Sequence, residues 1–239
     1  MIPLRDINPT LRRPYATYAL IAINVAAWLY EVALGGAAEP FIQRWGVVPY
    51  YLVQAPSLGS WLTPLTSMFL HGGWMHLIGN MWFLYVFGDN IEDALGRTRY
   101  VLFYLLTGLT AVAAQVVIDP HSTVPMVGAS GAIAGVLGAY LMLHPRARVV
   151  TLVPIFIFIQ FVELPAWVFL FVWIGLQLLQ GFTSLGDLTG GGGVAFFAHI
   201  GGFAAGVALI RLFLRTRPPE TERVVRPELR RNHAARARW

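Results

Sequence analysis

Residues 128–145 read GASGAIAGVLGAYLMLHP. The run carries no charge, and Gly and Ala recur so often that a helix built from it would be thin. It is also short. From Ser130 to His144 is fourteen residues, or ~21 Å at ~1.5 Å per residue. A hydrocarbon core is ~30 Å thick. With His144 near one surface of a bilayer, Ser130 lies several ångströms below the other. Irregular backbone at such depth is tolerated only where it is buried in protein or lines a wet cavity.

The composition calls for a bilayer. Of 239 residues, 56% are hydrophobic and 12% charged, about half the charged share of a soluble domain. Mean hydropathy is +0.61. There is no cysteine, which excludes disulfides, thiolate nucleophiles and Cys-ligated metals. Six apolar segments are read, at about 15–34, 74–88, 100–118, 129–143, 164–181 and 194–214. The stretch 149–163, VVTLVPIFIFIQFVE, is apolar as well, but Pro154 and Pro165 break it from a long helix. It is expected as a buried or interfacial connection into the fifth helix, with a seventh span as the alternative. The segment 35–73 is amphipathic and is expected on the outer membrane surface.

Charge placement sets the direction. All seventeen basic residues are Arg. Arg5, Arg12 and Arg13 precede the first span, Arg97 and Arg99 share one loop, and Arg146 and Arg148 another. The rest begin at Arg211, with only Arg44 elsewhere. The positive-inside rule then accounts for the net charge of +5, and no nucleic-acid partner is expected. The fold class is an all-α membrane protein, a compact six-transmembrane-helix bundle with both termini cytoplasmic. Residues 1–14 form a cytoplasmic N-terminal segment, 15–214 the six-helix domain, and 215–239 a basic tail expected to be disordered near membrane lipids. The outer loop 182–195, with Gly190–Gly193, is expected to be a mobile cap.

Three polar residues fall at similar depth. Thirteen residues separate His76 from Asp89, and twelve separate His199 from Arg211. Both histidines therefore sit near the level of Ser130, on helices running from outside to inside. Asn80 lies one turn deeper than His76, on the same face. Gly202 and Gly206 lie below His199, and Gly131 and Gly135 beside Ser130. Small residues at this spacing let helix axes approach, which would bring the serine towards His199. A Ser–His pair supports nucleophilic attack on a carbonyl, with His taking the hydroxyl proton. The oxyanion needs fixed donors. The Ser130 backbone N–H, His76 and Asn80 are candidates, and satisfied polar packing is the competing reading.

The segments HGGWMHLIGNMWFLYVFG, GASGAIAG and AHIGGFAAG resemble the signature segments of rhomboid intramembrane serine proteases. They occur in the family's order, on its second, fourth and sixth helices, and the likeness covers about residues 15–214. The resemblance implies Ser130 as nucleophile, His199 as general base, and His76 and Asn80 in the oxyanion hole. It implies substrates that are transmembrane segments of other proteins, and no cofactor, metal or nucleotide. A multi-pass protein of the prokaryotic inner membrane is expected. Some members place an aromatic residue four positions after the serine, stacked on the catalytic histidine. That position here is Ala134, so support for the His199 ring must come from elsewhere. A Trp-Arg motif of some first loops is absent too; residues 44–45 read RW.

Rival classes are weaker. Asp89, Asp93, Asp119 and Asp187 fall in loops or at span ends, unlike the mid-membrane carboxylates of an aspartyl intramembrane protease. His71, His76 and His199 could be read as zinc ligands, but no HExxH accompanies them. His71 is expected to bind loop backbone. A non-proteolytic rhomboid-like protein that binds membrane clients for quality control is the alternative function. Such members generally lack the Ser or the His.

Overall fold

A computed structural model describes residues 1–155, 158–184 and 195–214. The Gly190–Gly193 run and the basic tail 215–239 lie outside them. Among the described residues six longer helices dominate: α1 (Tyr15–Ala33), α2 (Trp74–Leu95), α3 (Arg97–Ile118), α4 (Ser130–Leu143), α5 (Ala166–Ser184) and α6 (Phe196–Phe213). Local chemistry sets several of their ends. Gly96, at φ +77°, turns α2 directly into α3, a conformation that costs other residues more. Asp119 and Pro120 follow α3, Pro145 follows α4, and Pro165 precedes α5.

Four helices, α1, α3, α5 and α6, are long and apolar enough to cross a membrane. The α4 helix is apolar but has only 14 residues. It is the central element, touched by α2, α3, α5 and α6. Ala132, Ile133, Ala134, Val136, Leu137, Ala139 and Tyr140 along it are buried. Outward-facing Trp82, Trp167, Phe171, Leu179 and Phe182 leave the bundle with an apolar exterior, as a lipid solvent requires.

The segment 149–163 connects α4 to α5, as strands rather than as a seventh span. Strands β2 (Arg148–Ile155) and β3 (Phe158–Pro165) pair antiparallel, and β1 (Ile2–Asp6) adds to β2 in the order β1-β2-β3. The all-α expectation thus holds for the bundle and needs this three-stranded addition. The reason is in the residues: β-branched and aromatic side chains fill a pleated surface well. Pro154 falls beyond the β1 pairing, which ends at Leu152, so its missing N–H breaks no second ladder. Within residues 1–14, Ile7 continues the pairing, its N–H reaching the Arg148 carbonyl at 2.8 Å.

The segment 35–73 is broken into short helices, among them Ala38–Trp45 and Pro49–Val53. A bridge between Val47 and Met126 ties it to the loop that leads into α4. The start of α1 is held differently. The Glu92 carboxylate accepts the N–H groups of Ala16 and Thr17 at 3.0 and 2.7 Å, and the Thr17 hydroxyl at 2.9 Å. A negative side chain at a helix N-terminus satisfies free donors and complements the helix dipole.

Candidate active site

Ser130 is the first residue of α4, so its N–H lies among the amides that no intrahelical carbonyl reaches. Its Oγ is 2.7 Å from Nε2 of His199, which stands one turn into α6. Both residues are half-buried, so the pair is sheltered yet reachable. The approach depends on α4 and α6 touching backbone to backbone. A Cβ built at Gly202 would stand 2.0 Å from the Gly131 carbonyl oxygen, and one at Gly206 2.0 Å from that of Gly135. No side chain larger than hydrogen fits either place.

The other face of the site comes from α2. Gly128, two residues before Ser130, has φ +129°. A Cβ there would meet the His76 ring at 2.7 Å and Asn80 Nδ2 at 3.5 Å. His76 and Asn80 thus border the turn that delivers Ser130. The Gly72 N–H points to His76 Nδ1 at 3.4 Å. That acceptor role assigns the His76 proton to Nε2, making that nitrogen a donor. Asn80 Nδ2 lies 3.1 Å from His71 Nε2, and the His71 and His76 rings meet edge to face at 5.2 Å. A cavity of about 30 Å³ adjoins Ser130, Gly128 and Ser67, enough for one water molecule.

His71 meets loop backbone at Phe69, as expected, and has partners in the site as well. Its ring faces Asn80, and its backbone N–H reaches the Glu31 carboxylate at 3.2 Å. Burial, with neighbouring His76, pushes the His71 imidazole down to about 4. At neutral pH it is uncharged, and Nε2 can accept one N–H of the Asn80 amide. The remaining N–H of that amide is free for another acceptor.

Three neighbours of the site escaped the reading of the sequence. Glu31, near the end of α1, is buried against His71. Trp173 and Gln177 lie one turn apart on α5. The Trp173 and His199 ring centroids are 6.0 Å apart, and Gln177 Oε1 is 2.6 Å from His199 Nδ1. The signal was available: an amide four residues from an aromatic, in a largely apolar helix, follows the spacing that singled out His76 and Asn80. Which helix it faces is a tertiary matter.

The arrangement can hold a hydroxyl against an imidazole beside several fixed N–H donors. Comparisons with known proteins identify the family. The chloroplastic Rhomboid-like protein 11 of Arabidopsis thaliana is 27% identical over 212 residues, which is 87% of this chain and 69% of that protein. The Rhomboid protease GluP of Bacillus subtilis is 35% identical over 54% of this chain, but this spans only 24% of GluP. The mitochondrial Rhomboid protein 1 of Saccharomyces cerevisiae is 27% identical over 80% of this chain and 51% of its own length. The family model for the rhomboid domain matches residues 58–216, more than half of the sequence and every residue of the Ser130–His199 site. The chain belongs to the rhomboid family.

Proposed function

We propose that this protein is an intramembrane serine endopeptidase that cuts transmembrane segments of other membrane proteins. The observation that carries the reading is the 2.7 Å approach of Ser130 Oγ to His199 Nε2. In the proposed reaction Oγ bonds to the scissile carbonyl carbon while its proton passes to Nε2. The carbonyl electron pair moves to oxygen, where the Ser130 N–H, Asn80 and His76 donate to it. Collapse expels the amine, which leaves with the proton held by His199. Water then attacks the acyl carbon, giving one proton to His199; the Oγ–acyl bond breaks as His199 returns that proton to Oγ, and the acid product departs.

Six crossings with both termini cytoplasmic fit this reading. They put the N-terminus of α4, with Ser130, below the outer surface, where water and a substrate helix can both reach it. The relatives come from a chloroplast, a mitochondrion and a bacterium. Family membership therefore does not select the prokaryotic inner membrane expected from the sequence. A mechanism-based serine inhibitor and a panel of single-span substrates test the assignment in detergent. The parent protein should cleave at least one substrate and carry the inhibitor mass on Ser130. Cleavage at the parental rate by Ser130→Ala would overturn the reading.

A further inference from the structure

His199 can act as a base only in one of its two neutral tautomers. The proton must sit on Nδ1, so that the Nε2 lone pair faces the Ser130 hydroxyl. In the other tautomer Nε2 donates to Oγ, and the serine proton has nowhere useful to go. Among the described residues, Ser130 Oγ has no other hydrogen-bond partner. Something must therefore hold the proton on Nδ1.

The α5 helix presents one face to α6. Trp173, Gln177 and Gly181 are spaced four residues apart along it. Trp173 packs on His199 and on Phe203, one turn further along α6. A Cβ at Gly181 would stand 3.3 Å from Cβ of Phe196, so the helices lie close there as well. Between them the Gln177 amide meets His199 Nδ1 at 2.6 Å. Its flanking residues, Leu176 and Leu178, are exposed to the apolar surroundings of the bundle. An amide turned that way would lose its hydrogen bonds, which favours the inward rotamer.

We propose that Gln177 is the positioning residue of this site: its side-chain oxygen accepts the Nδ1–H of His199, leaving the Nε2 lone pair for the Ser130 hydroxyl. This role rests on Ser130 and His199 being nucleophile and base. An amide oxygen has no proton to give, so contact through oxygen permits only the useful tautomer. It also holds the ring's orientation, with Trp173 against its face, where Ala134 offers no aromatic support. Being neutral, the amide stabilises the imidazolium formed during attack less than a carboxylate would. Gln177 does not touch the reacting atoms. It acts through His199.

The test joins kinetics to a direct view of the proton. Protein labelled with ¹⁵N only at histidine is studied at pH 8 in detergent, and the His199 signals are assigned by difference from His199→Ala. The expected spectrum has Nδ1 protonated and Nε2 bare in the parent, and a tautomer mixture in Gln177→Leu. Gln177→Leu should lower kcat roughly tenfold to a hundredfold, the loss expected for a hydrogen bond to a group that becomes charged, with KM for a single-span substrate nearly unchanged. Gln177→Glu, which keeps an acceptor, should regain most of that loss. A parental His199 with its proton on Nε2 overturns the proposal even if Gln177→Leu fails to fold, and so does parental kcat in a folded Gln177→Leu. If Ser130→Ala and His199→Ala still cleave, it is the protease reading that fails, while the tautomer spectrum continues to decide whether Gln177 sets the proton.

Discussion

At the scale of single residues, Asn80 separates an oxyanion donor from a packing residue. The amide can donate but has no useful basicity, and His71 occupies only one of its two N–H groups. Asn80→Ala should lower kcat by about 10²–10³ while leaving KM nearly unchanged, the usual cost of losing one such donor. Parental kcat in a normally folded Asn80→Ala would reduce the residue to packing. His71→Ala is expected to lower kcat less, because it frees the amide to rotate without removing it. The ratio of the two losses, measured on one substrate, distinguishes the donor from the residue that orients it.

At the scale of elements, the contact between α4 and α6 is made of backbone. A methyl group at Gly206 would sit 2.0 Å from the Gly135 carbonyl oxygen, and neither helix has a side chain there that could turn aside. Gly206→Ala should therefore push the helices apart. Overpacking costs roughly 1–3 kcal/mol, and the widened gap between Ser130 and His199 should slow turnover as well. Gly79→Ala on α2 is the matched control, since nothing lies within 4 Å of its added Cβ. It should be neutral or stabilising by up to ~1 kcal/mol, because alanine favours helix. Apparent melting temperatures of the two variants in one detergent check the contrast. Equal melting and equal turnover would show that α4 and α6 can separate without penalty.

At the scale of the whole molecule, the N-terminal strand ties together the end opposite the candidate active site. Asp6 accepts the Tyr140 hydroxyl of α4 at 2.6 Å and the Asn90 amide of α2 at 2.8 Å. The Trp82 indole of α2 donates to the Pro3 carbonyl, and the Asn8 amide donates to Asn90. Burial raises the Asp6 carboxyl from an ordinary 3.8 to about 6. Nearby Asp89 adds to the rise, while the Tyr140 and Asn90 hydrogen bonds oppose it. A carboxyl raised on folding adds stability while it is protonated, and that stability is lost as pH climbs from about 4 through about 6. The melting temperature of the parent should accordingly fall between pH 4 and pH 7 relative to that of Asp6→Asn, whose amide does not titrate. A constant difference across that range would show that Asp6 ionises at the same cost folded and unfolded.

The helical bundle was legible in the sequence because crossing a bilayer demands long apolar runs, and helices must satisfy their own backbone there. Segments read at 15–34, 100–118 and 129–143 became α1, α3 and α4 with shifts of at most a few residues. Ser130, His199, His76 and Asn80 stood out because polar groups are rare in such runs. Two things did not follow from the chain's order. The strands at 148–165 were hidden by their apolarity, since a short run of that kind reads alike as strand or buried helix. Their pairing with residues 2–6 is a contact across more than 140 positions. The inward turn of Gln177 was hidden as well. Periodicity says which residues share a face, but only the packing of α5 on α6 decides that this face meets His199 Nδ1.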